Sequence, residues 1–243
     1  MFVAYNPLTL TSEEHLIVFM STHRPILSTN EIYHLYNRAI GKEPVFISKQ
    51  FLDKILQITN YYRYLQRISF SDFNRMTITL QQNYMASIIN KPPLIEVYVF
   101  SFMPNHFHFL VKQLQDKGIS LFLSNIQNSF AKNYNLINDR NGSLFEHNFK
   151  AKRIMNNEEF IHVSRYIHIN HVTSRIIEFD QLLTYPWTSL PFYLNSGNPQ
   201  GSHLINTKPI LNYFKTPEKY LRFLENQVEY QRKLKEIKDL LLD

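Results

Sequence analysis

The sequence predicts an α+β protein: a ferredoxin-like (RRM-like) β-α-β-β-α-β core with an antiparallel sheet, a helix beside the sheet and an extra C-terminal helix. Three observations predict it. Segments near 31–38, 94–102, 106–113 and 145–155 read as strands. Segments 49–66 and 119–137 carry apolar residues at helical spacing and separate the first strand from the second and the third from the fourth. Pro104-Asn105 leaves only a tight hairpin between the second and third strands.

In chain order, residues 1–30 form an N-terminal appendage, with a short apolar stretch from His15 to Met20 after Thr11-Ser12-Glu13-Glu14, then Pro25. A turn at Gly41 follows the first strand, and Phe51, Ile55, Ile58 and Tyr62 mark the buried face of the first helix. Residues 68–92 read as an inserted helix that ends before Pro92-Pro93. Leu121, Ile126, Phe130 and Tyr134 supply much of the apolar face of the second long helix, and Asp139-Arg140-Asn141-Gly142 is a turn. Asn156-Asn157-Glu158-Glu159 then gives a capping residue and first-turn acids, the signals of a new helix. Residues 191–243 form a C-terminal extension in which Thr216-Pro217 starts a long helix. Its stripe of Tyr220, Phe223, Leu224, Val228, Leu234, Ile237 and Leu241 suits packing on the protein's own core or docking to a partner.

The chain has 243 residues, enough for one domain with appendages. Its 26 Lys and Arg against 20 Asp and Glu leave a net charge of +6, which favours an anionic partner such as nucleic acid. There are no cysteines, so disulfides and thiolate metal sites are excluded. No basic leader precedes an apolar core, and no window approaches twenty apolar residues; a cytoplasmic location without a membrane partner is the default expectation.

The chemistry-bearing residues fall in two places. On an extended strand His106 and His108 share one face with Leu110 and Lys112, while Phe107, Phe109 and Val111 share the other. Two imidazoles side by side on a rigid strand suit a divalent metal, although such a pair is also found as two solvated strand histidines. Downstream, Tyr166 and Asn170 lie four apart on one helix face, offering a nucleophilic oxygen and a third ligand.

These residues carry a resemblance. Tyr33-His34-Leu35-Tyr36-Asn37-Arg38, Met103-Pro104-Asn105-His106-Phe107-His108, Gly142-Ser143-Leu144-Phe145-Glu146, Tyr166-Ile167-His168-Ile169-Asn170 and Tyr185-Pro186-Trp187-Thr188-Ser189 occur in the order found in single-tyrosine HUH transposases. The chain resembles most the REP-associated tyrosine transposases, over residues 31–190. The resemblance implies metal-dependent cleavage and strand transfer of single-stranded DNA beside a hairpin or inverted repeat, through a 5′-phosphotyrosine. Tyr166, His106 and His108 are the implied catalytic residues, and His106, His108 and Asn170 the implied ligands of Mg²⁺ or Mn²⁺, with Mn²⁺ the better match to imidazole. A homodimer is compatible with it.

Fifteen tyrosines compete for the nucleophile's role. Tyr134 also follows the histidine pair, but its helix is better explained by packing on the sheet with the hydroxyl at the rim. Tyr166 has, four residues on, the Asn that the family pattern requires. His162 and His168 are expected to be exposed or behind the ligands, with His162 one turn from the phenol. Lys150, Lys152 and Arg153, with Arg38 and Lys112, are the candidate DNA contacts; a solvated edge strand would also carry such residues. Two positions depart from the family pattern: His147-Asn148 stands where an Arg is common, and His171 where Pro usually follows Asn170. A DNA-hairpin-binding protein that has lost turnover, and a metal-dependent phosphodiesterase using water, are the alternative functions.

Overall fold

A computed structural model describes residues 25–194 and 204–233. The elements run β1 (Ile32–Arg38), α1 (Lys49–Tyr62), α2 (Phe70–Arg75), α3 (Ile78–Ile89), β2 (Ile95–Met103), β3 (His106–Gln113), α4 (Gly118–Ile137), β4 (Lys150–Arg153), α5 (Asn157–Thr173), α6 (Leu190–Tyr193), α7 (Lys208–Phe214) and α8 (Pro217–Glu225). The four strands form one antiparallel sheet in the order β2-β3-β1-β4, the arrangement of a ferredoxin-like core. Pro104 and Asn105 are the two turn residues between paired Met103 and His106.

The alternation of β1 and β3 gives the sheet two different faces. Tyr33, Leu35, Phe107, Phe109 and Val111 are buried on one, where α1 and α4 cover them: Phe109 meets Phe122 at 5.6 Å between ring centroids, and Phe51 meets Phe130 at 6.0 Å. On α4 the buried residues include Phe122, Ile126, Phe130 and Tyr134, spaced by four. Leu121 is 39% exposed, because the neighbouring Phe122 takes the inward position. Gly118 starts this helix against the backbone of Leu94, where a Cβ would collide with the carbonyl oxygen.

Four expectations need correction. The first helix stops at Tyr62 rather than near 66, since the Arg63 carbonyl accepts from Leu94 N at 2.7 Å and the chain turns toward β2. The insertion is two helices, because Ser69 and Thr77 each cap a separate start, their hydroxyls accepting from Asp72 N and Leu80 N. The last strand is confined to Lys150–Arg153. Phe145 still bridges Ala39 and Lys150 pairs with Tyr36, so Asn37 and Arg38 face the four residues 146–149, which bulge out of register. Asn37 holds this bulge: buried, it donates to Glu146 O at 3.0 Å and Gln127 Oε1 at 2.6 Å, and accepts from Arg38 N at 2.9 Å. The C-terminal helix is not continuous: α8 ends at Glu225, where Asn226 N turns back to Arg222 O and Leu224 O, and helix resumes at 228.

The other sheet face is covered only in part. α5 lies over β2 and β3, leaving the site-facing residues of β1 and β4 beside it. Outer strand β2 is shielded by the chain returning after α5, with Phe102 N donating to Trp187 O at 2.8 Å, Ser189 N to Phe100 O at 3.0 Å and Asn206 N to Val97 O at 2.9 Å. Tyr220, Leu224 and Val228 are buried, so the described part of the C-terminal stripe packs on the protein's own core. Leu234, Ile237 and Leu241, and residues 1–24 of the appendage, lie outside the described residues. Residues 26–30 are tied to the sheet, with Tyr33 Oη donating to Ile26 O and Gln113 Nε2 to Leu27 O.

Candidate functional site

The hairpin fixes His106 and His108 on the face that α5 only partly covers. Their rings stand 5.0 Å apart between centroids and nearly perpendicular, at 80°. Imidazole nitrogens bind a divalent ion at about 2.1 Å, which sets the centroids of two coordinated rings about 5 Å apart. His106 Nδ1 lies 2.7 Å from Asn105 Oδ1, an oxygen that only accepts; Nδ1 is then the protonated nitrogen and Nε2 keeps the lone pair. His108 is 5% exposed, and its Nε2 is buried without a hydrogen-bond partner.

Tyr166 stands over His108. Asn156 Oδ1 accepts from Glu159 N at 2.8 Å and Glu159 Oε2 from Met155 N at 2.8 Å, setting the start of α5. Lys152 reaches from β4 to Glu159 at 2.9 Å, which fastens that start to the sheet. The Tyr166 ring then meets His108 edge-on at 5.7 Å and His34 at 6.0 Å. Burial raises the Tyr166 phenol above its ordinary 10, Tyr36 raises it further, and Arg38 pulls it back. Burial likewise drives His108 well below 6.5, helped by His34, His106, His171 and Arg38. His34 is lowered to about 3 by burial and by Lys152. Neutral imidazoles are the form that binds metal.

Asn170, one turn after Tyr166 on the same face, is buried; its Oδ1 accepts from Ser174 Oγ at 3.4 Å and its Nδ2 has no partner. Turning the amide over gives Ser174 a donor and frees the oxygen, as a ligand requires. Among the described residues no group of three or more His, Cys, Asp or Glu is placed to hold a metal. An amide oxygen at Asn170 and the orphaned His108 nitrogen are each donors of a kind that a divalent ion accepts.

The candidate DNA contacts separate. Arg38 ends β1 opposite His106, exposed, and Lys150 and Lys152 lie opposite Tyr36 and His34, on the site face. Lys112 shares that face but sits at the far end of β3, paired with Ile32, roughly 13 Å along the strand from His108. Arg153 lies opposite Tyr33, on the other face, and its guanidinium bonds Glu31 with Nε at 3.1 Å.

His168 is fully buried rather than exposed, its nitrogens 2.7 Å from Tyr220 Oη and 2.8 Å from Ser189 Oγ. His162 lies against Phe223 at 6.0 Å and within 2.7 Å of the Arg165 guanidinium. Tyr134 donates to Glu43 Oε1 at 3.0 Å on the opposite side of the sheet from the histidines. His171 is buried between Ser101 Oγ at 3.3 Å and Phe102 O at 3.1 Å. His147 and Asn148 sit exposed on the bulge before β4. Sequence reasoning missed His34 and Tyr36 as site residues. Their signal was present: His34, Tyr36 and Arg38 alternate along β1, but only the pairing register, Tyr36 opposite His108, shows that they belong to the histidine face.

No protein-family model and no curated protein matches this chain. A solved structure described as the REP-associated tyrosine transposase bound to a REP hairpin resembles it at a TM-score of 0.47 and 15% identity, over 70% of this chain and 82% of that one. No helix among the described residues is long and apolar enough to cross a membrane.

Proposed function

We propose that this chain cleaves and rejoins single-stranded DNA through a tyrosine–phosphate intermediate. One observation carries the reading: the Tyr166 ring is 5.7 Å from that of His108, whose buried Nε2 has no other partner. A phenol set beside a divalent-metal donor suits attack on a phosphodiester.

Tyr166 supplies the nucleophile: the phenol gives its proton to solvent as its oxygen bonds to phosphorus, the bond to the 3′ oxygen breaks, and that oxygen takes up a proton and leaves as a hydroxyl. The linkage keeps the energy of the phosphodiester, so a later 3′-hydroxyl can rejoin strands by the reverse attack. His106, His108 and the Asn170 amide would hold Mg²⁺ or Mn²⁺, which when bound withdraws charge from a non-bridging phosphate oxygen. Arg38 and Lys150, exposed on the same face, neutralise neighbouring phosphates. The experiment is a denaturing gel with labelled single-stranded DNA next to a hairpin and Mn²⁺. The wild-type chain is expected to carry label covalently, and Tyr166→Phe is expected to lose it while still binding DNA; an undiminished adduct in the variant overturns the reading.

A further inference from the structure

His34 is the feature of this face that the proposed reaction leaves without a task. It is buried on the central strand β1, and its Nε2 lies 2.9 Å from His108 Nδ1, with the rings stacked at 5.1 Å. Register does not impose this contact: His34 stands opposite Leu110 and Lys152, and its ring reaches diagonally to His108. A hydrogen bond between two neutral imidazoles needs one nitrogen protonated and the other bare. The two arrangements have different consequences at the opposite edge of the His108 ring. If His34 donates, the His108 proton moves to Nε2, a buried N–H with no acceptor. If His34 accepts, His108 is protonated at Nδ1, and Nε2 presents a lone pair.

We infer that His34 is a positioning residue: by accepting the His108 Nδ1 proton it locks the tautomer and ring orientation that turn His108 Nε2 toward a divalent cation. The inference rests on the metal-dependent reading of the site. Metal-binding histidines ordinarily give their second nitrogen to a carboxylate or a carbonyl. Here the acceptor is a third imidazole, which carries no charge and leaves the ligand less electron-rich than a carboxylate would.

The test uses two readouts that do not depend on DNA cleavage. In the metal-free full-length protein, ¹⁵N-labelled histidine spectra are expected to show His108 protonated at Nδ1; an Nε2–H tautomer overturns the inference. Mn²⁺ affinity, followed by the loss of the free-ion electron paramagnetic resonance signal, is expected to fall about 10- to 100-fold in His34→Leu. His34→Gln, whose amide oxygen offers an acceptor near the same place, is expected to recover most of that loss. Wild-type affinity in His34→Leu overturns the inference, as does equal loss in both variants. If the wild-type protein shows the Nδ1–H tautomer and binds no Mn²⁺, the metal reading fails while His34 keeps its assigned effect on His108.

Discussion

The Tyr220 hydroxyl lies 2.7 Å from His168 Nδ1, joining α8 to the helix that carries Tyr166. The same hydroxyl donates to Ser164 Oγ at 3.1 Å, and His168 Nε2 lies 2.8 Å from Ser189 Oγ, which accepts from Phe100 N at 3.0 Å. Every side chain in this chain of bonds is fully buried. α5 is thus fastened to the C-terminal extension and to β2, while Tyr166 on it meets His108 and His34. Tyr220→Phe leaves His168 and Ser164 without that oxygen in a dry environment. A loss of about 1–3 kcal/mol is expected, read as a lower urea midpoint at unchanged slope.

Buried neutral histidines make stability depend on pH. Burial lowers His168 and His34 to about 3, and His171 to about 4, from an ordinary 6.5. As pH falls below 6.5 the unfolded chain takes up protons that the folded chain refuses until near 3 or 4. Their contribution is therefore complete above about 7 and is lost on acidification, approaching about 1.4 kcal/mol per pH unit for each. Urea unfolding from pH 8 to pH 5 is expected to show the fall, less steep in His168→Gln. A flat profile would contradict neutral burial.

The legible part of this protein was its strand and helix order and the local pairs within one element. His106 with His108, and Tyr166 with Asn170, follow from periods of two and of 3.6 residues. What pairing between distant segments decides was not legible. His34 joins the site only because β1 runs antiparallel beside β3 in one register. Arg153 leaves it because each residue of β4 alternates, and the bulge at 146–149 sets which ones face the histidines. Likewise His168 was expected exposed or behind the ligands, and the partners that bury it arrive from segments that no local pattern links to it.

The ligand assignment predicts that His106→Ala and His108→Ala each weaken Mn²⁺ binding and adduct formation together. Isothermal titration with Mn²⁺ measures the first and labelled DNA the second, and chelator should reproduce both losses. Unchanged metal affinity in the double variant would reduce the pair to a structural role.

The two faces of the sheet give the basic residues different expected effects. Arg38→Ala and Lys150→Ala should each weaken single-stranded DNA binding and lower the slope of log affinity against log salt by roughly 0.7. Arg153→Ala, on the face away from the histidines and paired with Glu31, should leave that slope near the wild-type value. Fluorescence anisotropy between 50 and 200 mM salt, about the range over which such contacts separate, distinguishes them. Equal effects of all three would place the DNA elsewhere.

The form and polarity of cleavage follow from what can reach Tyr166. Its ring is partly buried between α5 and the strand face bearing His34 and His108, and the open ground beside it is the strip of β1 and β4 carrying Tyr36, Arg38 and Lys150. A phosphate approaching that phenol is expected to need a strand that can bend away from a partner strand, and an unpaired base can then stack on an aromatic ring such as Tyr36. Cleavage is accordingly expected in single-stranded DNA next to a hairpin, with fully paired duplex cut poorly. By the resemblance of the Met103–His108 and Tyr166–Asn170 segments to single-tyrosine transposases, the phenol is expected to keep the 5′-phosphate and the other fragment to leave with a free 3′-hydroxyl. An oligonucleotide labelled at its 3′ end should therefore carry its label onto the protein, and the same oligonucleotide labelled at its 5′ end should release it. The opposite pattern, or efficient cutting of duplex, would exclude this mechanism.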